Sequence, residues 1–248
     1  KQNKISYYLD LIKDCKAAVS IPVIASINCT SPYEWTSFAR DIEKAGADAL
    51  ELNVFILPSD PTHSAEDIEK VYHEIVNNVK KEVQIPIALK ISYYFSGLAR
   101  FAKQLSWTGI KGLVLFNRFF SPDIDIDNFK VISSNVFSSP DELPVSLRWV
   151  AMLKDIVQCD ISASTGVHDG SAVIKQLLAG ATTVQVTSIL YKEGFEKVNM
   201  MLNELEKWMN RHNFANLDDV RGKMSYKSTD NPAAYERMQF MKHFAGIE

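Results

Sequence analysis

Six short apolar runs rich in β-branched residues recur along the chain, at 21–28 (IPVIASIN), 48–55 (DALELNVF), 85–92 (IPIALKIS), 112–118 (GLVLFNR), 160–166 (DISASTG) and 183–190 (TVQVTSIL), each followed by a longer segment of helical period. This βα repeat constrains the fold more than any other feature of the sequence. Near-continuous apolar character predicts strands covered on both faces, as in a parallel sheet wrapped by helices. The class is α/β, either a barrel or a doubly wound sheet. Six units are visible where a closed barrel needs eight, so periodicity alone leaves both open.

The helices carry their own start signals. Ser31-Pro32-Tyr33-Glu34 places a capping serine before a proline and an acid, Ser64 with Asp67 repeats the logic, and Asp169 precedes SAVIKQLLAG. From about 194 to 210, Phe195, Val198, Met201, Leu202, Leu205, Trp208 and Met209 fall at spacings of three and four, which predicts one apolar stripe facing the core. The connection 119–145 is far longer than a usual βα loop and reads as a lid or binding loop. Beyond 211 the repeat breaks, and 212–248 reads as a tail with a last helix over Pro232–Phe244 packed on the barrel or a partner subunit.

At 248 residues, 46% hydrophobic and 23% charged, the chain suits one domain over 1–248. A net charge of −3 with scattered basic residues argues against nucleic acid or an anionic membrane as partner, which leaves a small molecule. Cys15, Cys29 and Cys159 are too few and too dispersed for a disulfide framework or a zinc site, so no metal is expected and a reducing cytoplasm is. No run reaches a membrane span, and the first ten residues lack the apolar centre of a signal peptide.

In any parallel βα fold the ligand lies at the carboxyl ends of the strands, so the candidates are Ser26, Asn28, Asn53, Lys90, Asn117, Ser164–Gly166, Thr187 and Ser188. Each polar end could instead cap the next helix or bond a loop. Lys90 stands between Leu89 and Ile91 on a buried strand and requires a negative or strongly polar partner. The segment 161–170 (ISASTGVHDG) supplies a strand-to-helix turn and 186–188 (VTS) two hydroxyls, which together suit a phosphate.

ALELNVF, IALKIS, GLVLFNR, STGVHDG, GATTVQVTSILYKEG and DDVRGKM follow one another in the order and spacing of the class 1 dihydroorotate dehydrogenases, and the chain resembles that family from about residue 20 to 225. The resemblance implies a TIM (β/α)8 barrel that binds FMN, oxidises dihydroorotate in pyrimidine biosynthesis, and forms a cytoplasmic homodimer. It also implies that the first two βα units of the barrel lie outside this sequence. Carried over residue by residue, Lys90 would contact the flavin, Asn53 and Asn117 the substrate ring, and Ser26 and Asn53 the flavin. Ser164, Thr165, Gly166, Thr187 and Ser188 would hold the phosphate.

The sequence departs from the family where the catalytic cysteine of Asn-x-Ser-Cys-Pro-Asn belongs, because Asn53 is followed by Val54, Phe55, Ile56, Leu57, Pro58 and Ser59. No apolar side chain there can take a proton. Ser59 is the nearest alternative base, weighed against a plain loop serine, and Cys29 is read as packing rather than a base. Thr165 and Thr187 replace glycines of the family's phosphate segment. Two further readings stand beside the dehydrogenase: a barrel that keeps flavin or phosphate binding without turnover, and a flavin-free lyase or isomerase using Lys90.

Overall fold

The structure, a computed structural model, describes residues 2–29 and 32–236. Six parallel strands form one sheet: β1 (Ile24–Ile27), β2 (Ala49–Asn53), β3 (Ile87–Ile91), β4 (Gly112–Leu115), β7 (Asp160–Ala163) and β8 (Thr183–Val184). Two short antiparallel strands, β5 (Pro122–Asp125) and β6 (Lys130–Ser133), make a separate hairpin. The helices are α1 (Gln2–Ala18), α2 (Pro32–Lys44), α3 (Ala65–Glu82), α4 (Leu98–Ser106), α5 (Leu143–Leu153), α6 (Gly170–Ala179), α7 (Ser188–Glu193), α8 (Glu196–Arg211) and α9 (Ala233–Glu236).

Strand order in the large sheet is β1-β2-β3-β4-β7-β8, with no reversal. A doubly wound sheet reverses its order at a switch point, whereas a barrel adds each strand beside the last. The sheet is therefore a run of consecutive barrel units, which agrees with the (β/α)8 class. Register fixes the faces: Leu50 pairs with Ile87 and Leu52 with Leu89. These residues, with Ile91, Leu113, Leu115 and Ile161, are buried under the helices. Trp35, Ala39 and Ile42 of α2, Tyr72 and Val76 of α3, and Phe101 and Leu105 of α4 close that layer.

The inner face departs from the expectation of cover on both sides. Its residues alternate with those under the helices and include Ser26, Glu51, Ala88, Lys90, Val114 and Ser162. Together with Ile24, which is 58% exposed, all of these but Lys90 border a cleft of about 540 Å³. The reason is that β1 and β8 each have a single neighbour among the described residues, so the concave face opens between them.

The expected capping box at Ser64 is present: Asp67 N–H donates to Ser64 Oγ at 3.2 Å and Ser64 N–H to Asp67 Oδ2 at 2.9 Å. Asp169 caps α6 through Ala172 N–H at 2.7 Å. Ser31 lies outside the described residues, as does the predicted last helix beyond Glu236. The stripe on α8 is half covered, with Met201 and Leu205 buried but Phe195, Val198 and Leu202 exposed. The correction follows from what α8 packs against: α6 on one side and the short α7, too little to cover the whole stripe. Among the described residues no helix is long and apolar enough to cross a membrane.

Within the long connection, PDID and KVIS pair as the hairpin, a local element that a loop reading passes over. Asp125 shapes its turn by accepting from Asp127 N–H at 3.1 Å and Asn128 N–H at 3.0 Å.

Candidate active site at the carboxyl ends of the strands

Lys90 emerges on the inner face of β3, where Nζ donates to Gln185 Oε1 at 2.9 Å. Gln185 Nε2 in turn donates to Glu51 Oε2 at 2.6 Å, and Ser26 Oγ donates to Glu51 Oε1 at 3.0 Å. Chemistry dictates this orientation: an ammonium only donates and a carboxylate only accepts, so the amide between them must turn its oxygen to Lys90. Burial lowers the Lys90 amine below its ordinary value of 10.5, and the Glu51 charge partly offsets that. The partner that the buried lysine requires is thus supplied inside the fold. Glu51 and Gln185 are absent from the sequence-predicted site, although Glu51, a charge among Leu50 and Leu52, carries the same signal as Lys90.

Asn53 ends β2 with its Oδ1 buried and without a hydrogen-bond partner in the structure. Asn117 is buried just past β4, and its Nδ2 donates to the Val54 carbonyl at 2.8 Å. That bond ties the apolar stretch after β2 to the end of β4.

The turn after β7 has two successive residues in the left-handed region, Thr165 at φ 79° and Gly166 at φ 78°. Only glycine fits the second position, because an added Cβ would collide with the backbone of Leu143 and lie 2.9 Å from Glu142 C. The start of α5 therefore presses on the turn. Thr187 occupies the N-cap position of α7, yet its side chain makes no capping hydrogen bond. Ser188 Oγ accepts from Ser138 N–H at 3.0 Å, so the end of the long connection folds back onto this corner. Ser138 Oγ also lies 3.0 Å from His168 Nε2. His168 is buried, and burial followed by the nearby Lys192 charge lowers its pKa.

A pocket of about 180 Å³ brings together Lys90, Ser164, Thr165, Gly166, Thr187 and Ser188. It shares Phe116, Arg118, Ser164 and Thr165 with a larger pocket of about 440 Å³ that adds Asn117 and the aromatic residues Tyr93, Tyr94, Phe119 and Phe120. Ser26 borders the inner cleft and meets the small pocket through Gln185. Asn53 touches neither pocket lining, and Ser59 is exposed, its N–H donating to the Leu57 carbonyl at 2.8 Å. Cys29 faces a different cavity, with Trp35 and Ile56, and burial with the adjacent Glu34 charge pushes its thiol up to about 11. A thiol so raised is a poor base.

An aromatic chain rims the larger pocket. Tyr93 and Tyr94 have centroids 4.7 Å apart, Tyr94 meets Phe119 edge-on at 4.9 Å, and Phe119 packs on Phe55 at 4.0 Å. The Tyr93 phenol is pushed up to about 12, first by its hydrogen bond with Tyr94 and then by burial. Arg118 reaches across the rim: Nε donates to Glu142 Oε2 at 2.8 Å, and Nη1 to the carbonyls of Asn135 and Val136, each at 3.0 Å. Tyr93 and Tyr94 follow β3 after Ser92, and Arg118, Phe119 and Phe120 follow β4 in FNRFF; they too are missing from the sequence-predicted site.

A family model described as dihydroorotate dehydrogenase matches residues 2–209. The catalytic subunit of dihydroorotate dehydrogenase B (NAD(+)) of Methanothermobacter thermautotrophicus is 30% identical over 209 residues, covering 82% of this chain and 68% of that protein. The corresponding subunit of Thermoplasma volcanium is 28% identical, over 81% of this chain and 67% of its own length. A putative dihydroorotate dehydrogenase A (fumarate) of Aeropyrum pernix is 28% identical over 82% of this chain and 67% of its own. With matched order, barrel topology and strand-end polar residues in agreement, this chain belongs to the dihydroorotate dehydrogenase family.

Proposed function

We propose that the protein is an FMN-dependent oxidoreductase acting on dihydroorotate or a related cyclic amide. The observation that carries the reading is the single small pocket in which a buried-strand lysine meets the 164–166 turn and the hydroxyl-bearing residues 187 and 188. One feature of the chain suits the cofactor: the Thr187 side chain, which borders this pocket and is left out of helix capping. The phosphate would be held by Ser164, Thr165, Gly166, Thr187 and Ser188, and Lys90 would place a positive charge beside the ring system. When bound, the flavin would accept a hydride from the substrate.

The chain's own residues then have defined tasks. Asn117 and the aromatic rim exclude water and orient the substrate ring. Gln185 and Glu51 hold Lys90 in one position and sustain its charge. Proton removal from the substrate would fall to Ser59 after a rearrangement of the loop, since Ile56 stands where the family has its cysteine. That apolar substitution also supports a second reading, in which the barrel binds the cofactor without turnover.

The test is the visible spectrum of the full-length protein as purified, followed anaerobically after adding dihydroorotate. An oxidised-flavin spectrum that bleaches supports the dehydrogenase. One that stays oxidised favours another substrate or the binding role, and a colourless protein that cannot be loaded with FMN overturns the proposal.

A further inference from the structure

The long connection comes back to the barrel at a buried serine. Residues 126–137 are all exposed, whereas Ser138 is buried. Its three polar groups are engaged by elements around the small pocket. Its N–H donates to Ser188 Oγ at 3.0 Å, its Oγ lies 3.0 Å from His168 Nε2, and its carbonyl accepts from Lys192 Nζ at 3.4 Å. Beside it the Phe137 ring stacks on Tyr191 with centroids 5.9 Å apart, and Lys192 Nζ lies 5.8 Å from the Phe137 centroid. From the other flank Arg118 donates to the Asn135 and Val136 carbonyls, and Glu142, its ion-pair partner, accepts from Ser139 N–H at 2.8 Å. Residues 135–139 are therefore tied to α7 and His168 on one side and to the end of β4 on the other. A segment with so little buried surface opens locally at low cost unless polar ties hold it. Ser138 and Ser188 both line the small pocket.

We propose, resting on the reading of this corner as the phosphate end of the cofactor site, that Ser138 is a latch: it closes the long connection over the small pocket, and a bound phosphate group and the closed connection stabilise each other. The link between them is Ser188. A hydroxyl that accepts the Ser138 N–H keeps its own hydrogen to donate. The accepted bond also fixes the oxygen in place and polarises it toward a stronger donor. A phosphate oxygen held by Ser188 is thus held better while Ser138 is docked. By linkage the phosphate favours docking by the same factor. Ser138 acts through Ser188 and is a positioning residue.

The experiment follows amide hydrogen exchange by mass spectrometry in peptides covering 134–142 of the full-length protein, freed of flavin and then saturated with inorganic phosphate, riboflavin or FMN. Riboflavin and FMN differ only in the phosphate. Phosphate and FMN should slow exchange in this segment by about fivefold or more, and riboflavin should not. Ser138→Ala loses the contact with His168 but keeps the backbone bonds. With native circular dichroism, it should weaken FMN by about three- to tenfold and leave riboflavin unchanged. His168→Leu breaks the same contact from the other side, so the double variant should be no weaker than either single one. Unchanged exchange with FMN bound, or equal losses of FMN and riboflavin in Ser138→Ala, overturns the latch and leaves the flavin reading standing. Protection by phosphate in a protein that binds neither flavin sinks the flavin reading and leaves the latch. If none of the three ligands binds, both fall.

Discussion

The relay from Ser26 through Glu51 and Gln185 to Lys90 makes a quantitative prediction for Glu51→Gln. The substitution keeps the shape and the bonding pattern. The new amide can turn its oxygen to Gln185 and its NH2 to Ser26, whose hydroxyl accepts as readily as it donates. What is lost is the charge. Bonds of 2.9 Å and 2.6 Å span the two contacts of Gln185. With about 2.2 Å across its amide, the two charges lie no more than about 8 Å apart. At an effective dielectric near 20 their attraction is then about 2 kcal/mol. Urea unfolding of the wild type, Glu51→Gln, Lys90→Met and the double variant should give a coupling energy of about 2 kcal/mol at neutral pH. The pH profile adds a sign. The amine of Lys90 titrates lower in the folded protein than in the unfolded chain, so the unfolded chain holds the extra proton between the two values. Stability therefore rises as pH climbs from the folded value toward 10.5. Glu51→Gln lowers the folded value further, and the rise should begin at a lower pH. A coupling below about 0.5 kcal/mol, or an unchanged profile, would refute the claim that Glu51 sustains the charge on Lys90.

Four further outcomes are expected. Thr165→Gly should stabilise the protein by about 0.5–1 kcal/mol in urea unfolding, because relief of the left-handed backbone exceeds the added chain entropy and the threonine hydroxyl has a long contact, 3.5 Å to the Phe116 carbonyl. Gly166→Ala should cost about 2–5 kcal/mol, since it meets the same backbone strain and the start of α5 as well; a neutral result would mean that α5 yields without cost. His168 has a folded pKa below its ordinary 6.5, so the unfolded chain gains the proton first and stability should fall as pH drops through about 6.5; a His168→Gln variant should lose this part of the acid sensitivity when melting temperature is compared across pH. Cys29, raised to about 11, should react with iodoacetamide at pH 8 far more slowly than a free thiol, and rapid labelling would contradict its burial.

Much of the fold was legible because barrel strands are local objects. A run such as IPIALKI needs only its own residues to mark a buried strand, and the capping pair Ser64 and Asp67 is likewise contained within four residues. The lysine on β3 stood out for the same reason, as a charge where neighbours are apolar. The grouping of Lys90 with 164–166, 187 and 188 followed from strand-end position, because a parallel βα repeat delivers every strand end to one rim.

What the tertiary structure alone decided are the partners. Glu51 and Gln185 are 134 residues apart, and nothing in either segment specifies that a two-residue β8 brings the amide between a carboxylate and an ammonium. The return of the long connection, which pins Ser138 over Ser188 and Arg118 against Glu142, depends on a hairpin and a loop whose path is set by packing rather than by periodicity. Sequence by itself determined the order of the barrel and the polar residues at its rim, since backbone propensity and hydrophobic period act over a few residues. It could not determine which charges are neutralised there. Electrostatic pairing acts through space, across chain separations that only the folded register fixes.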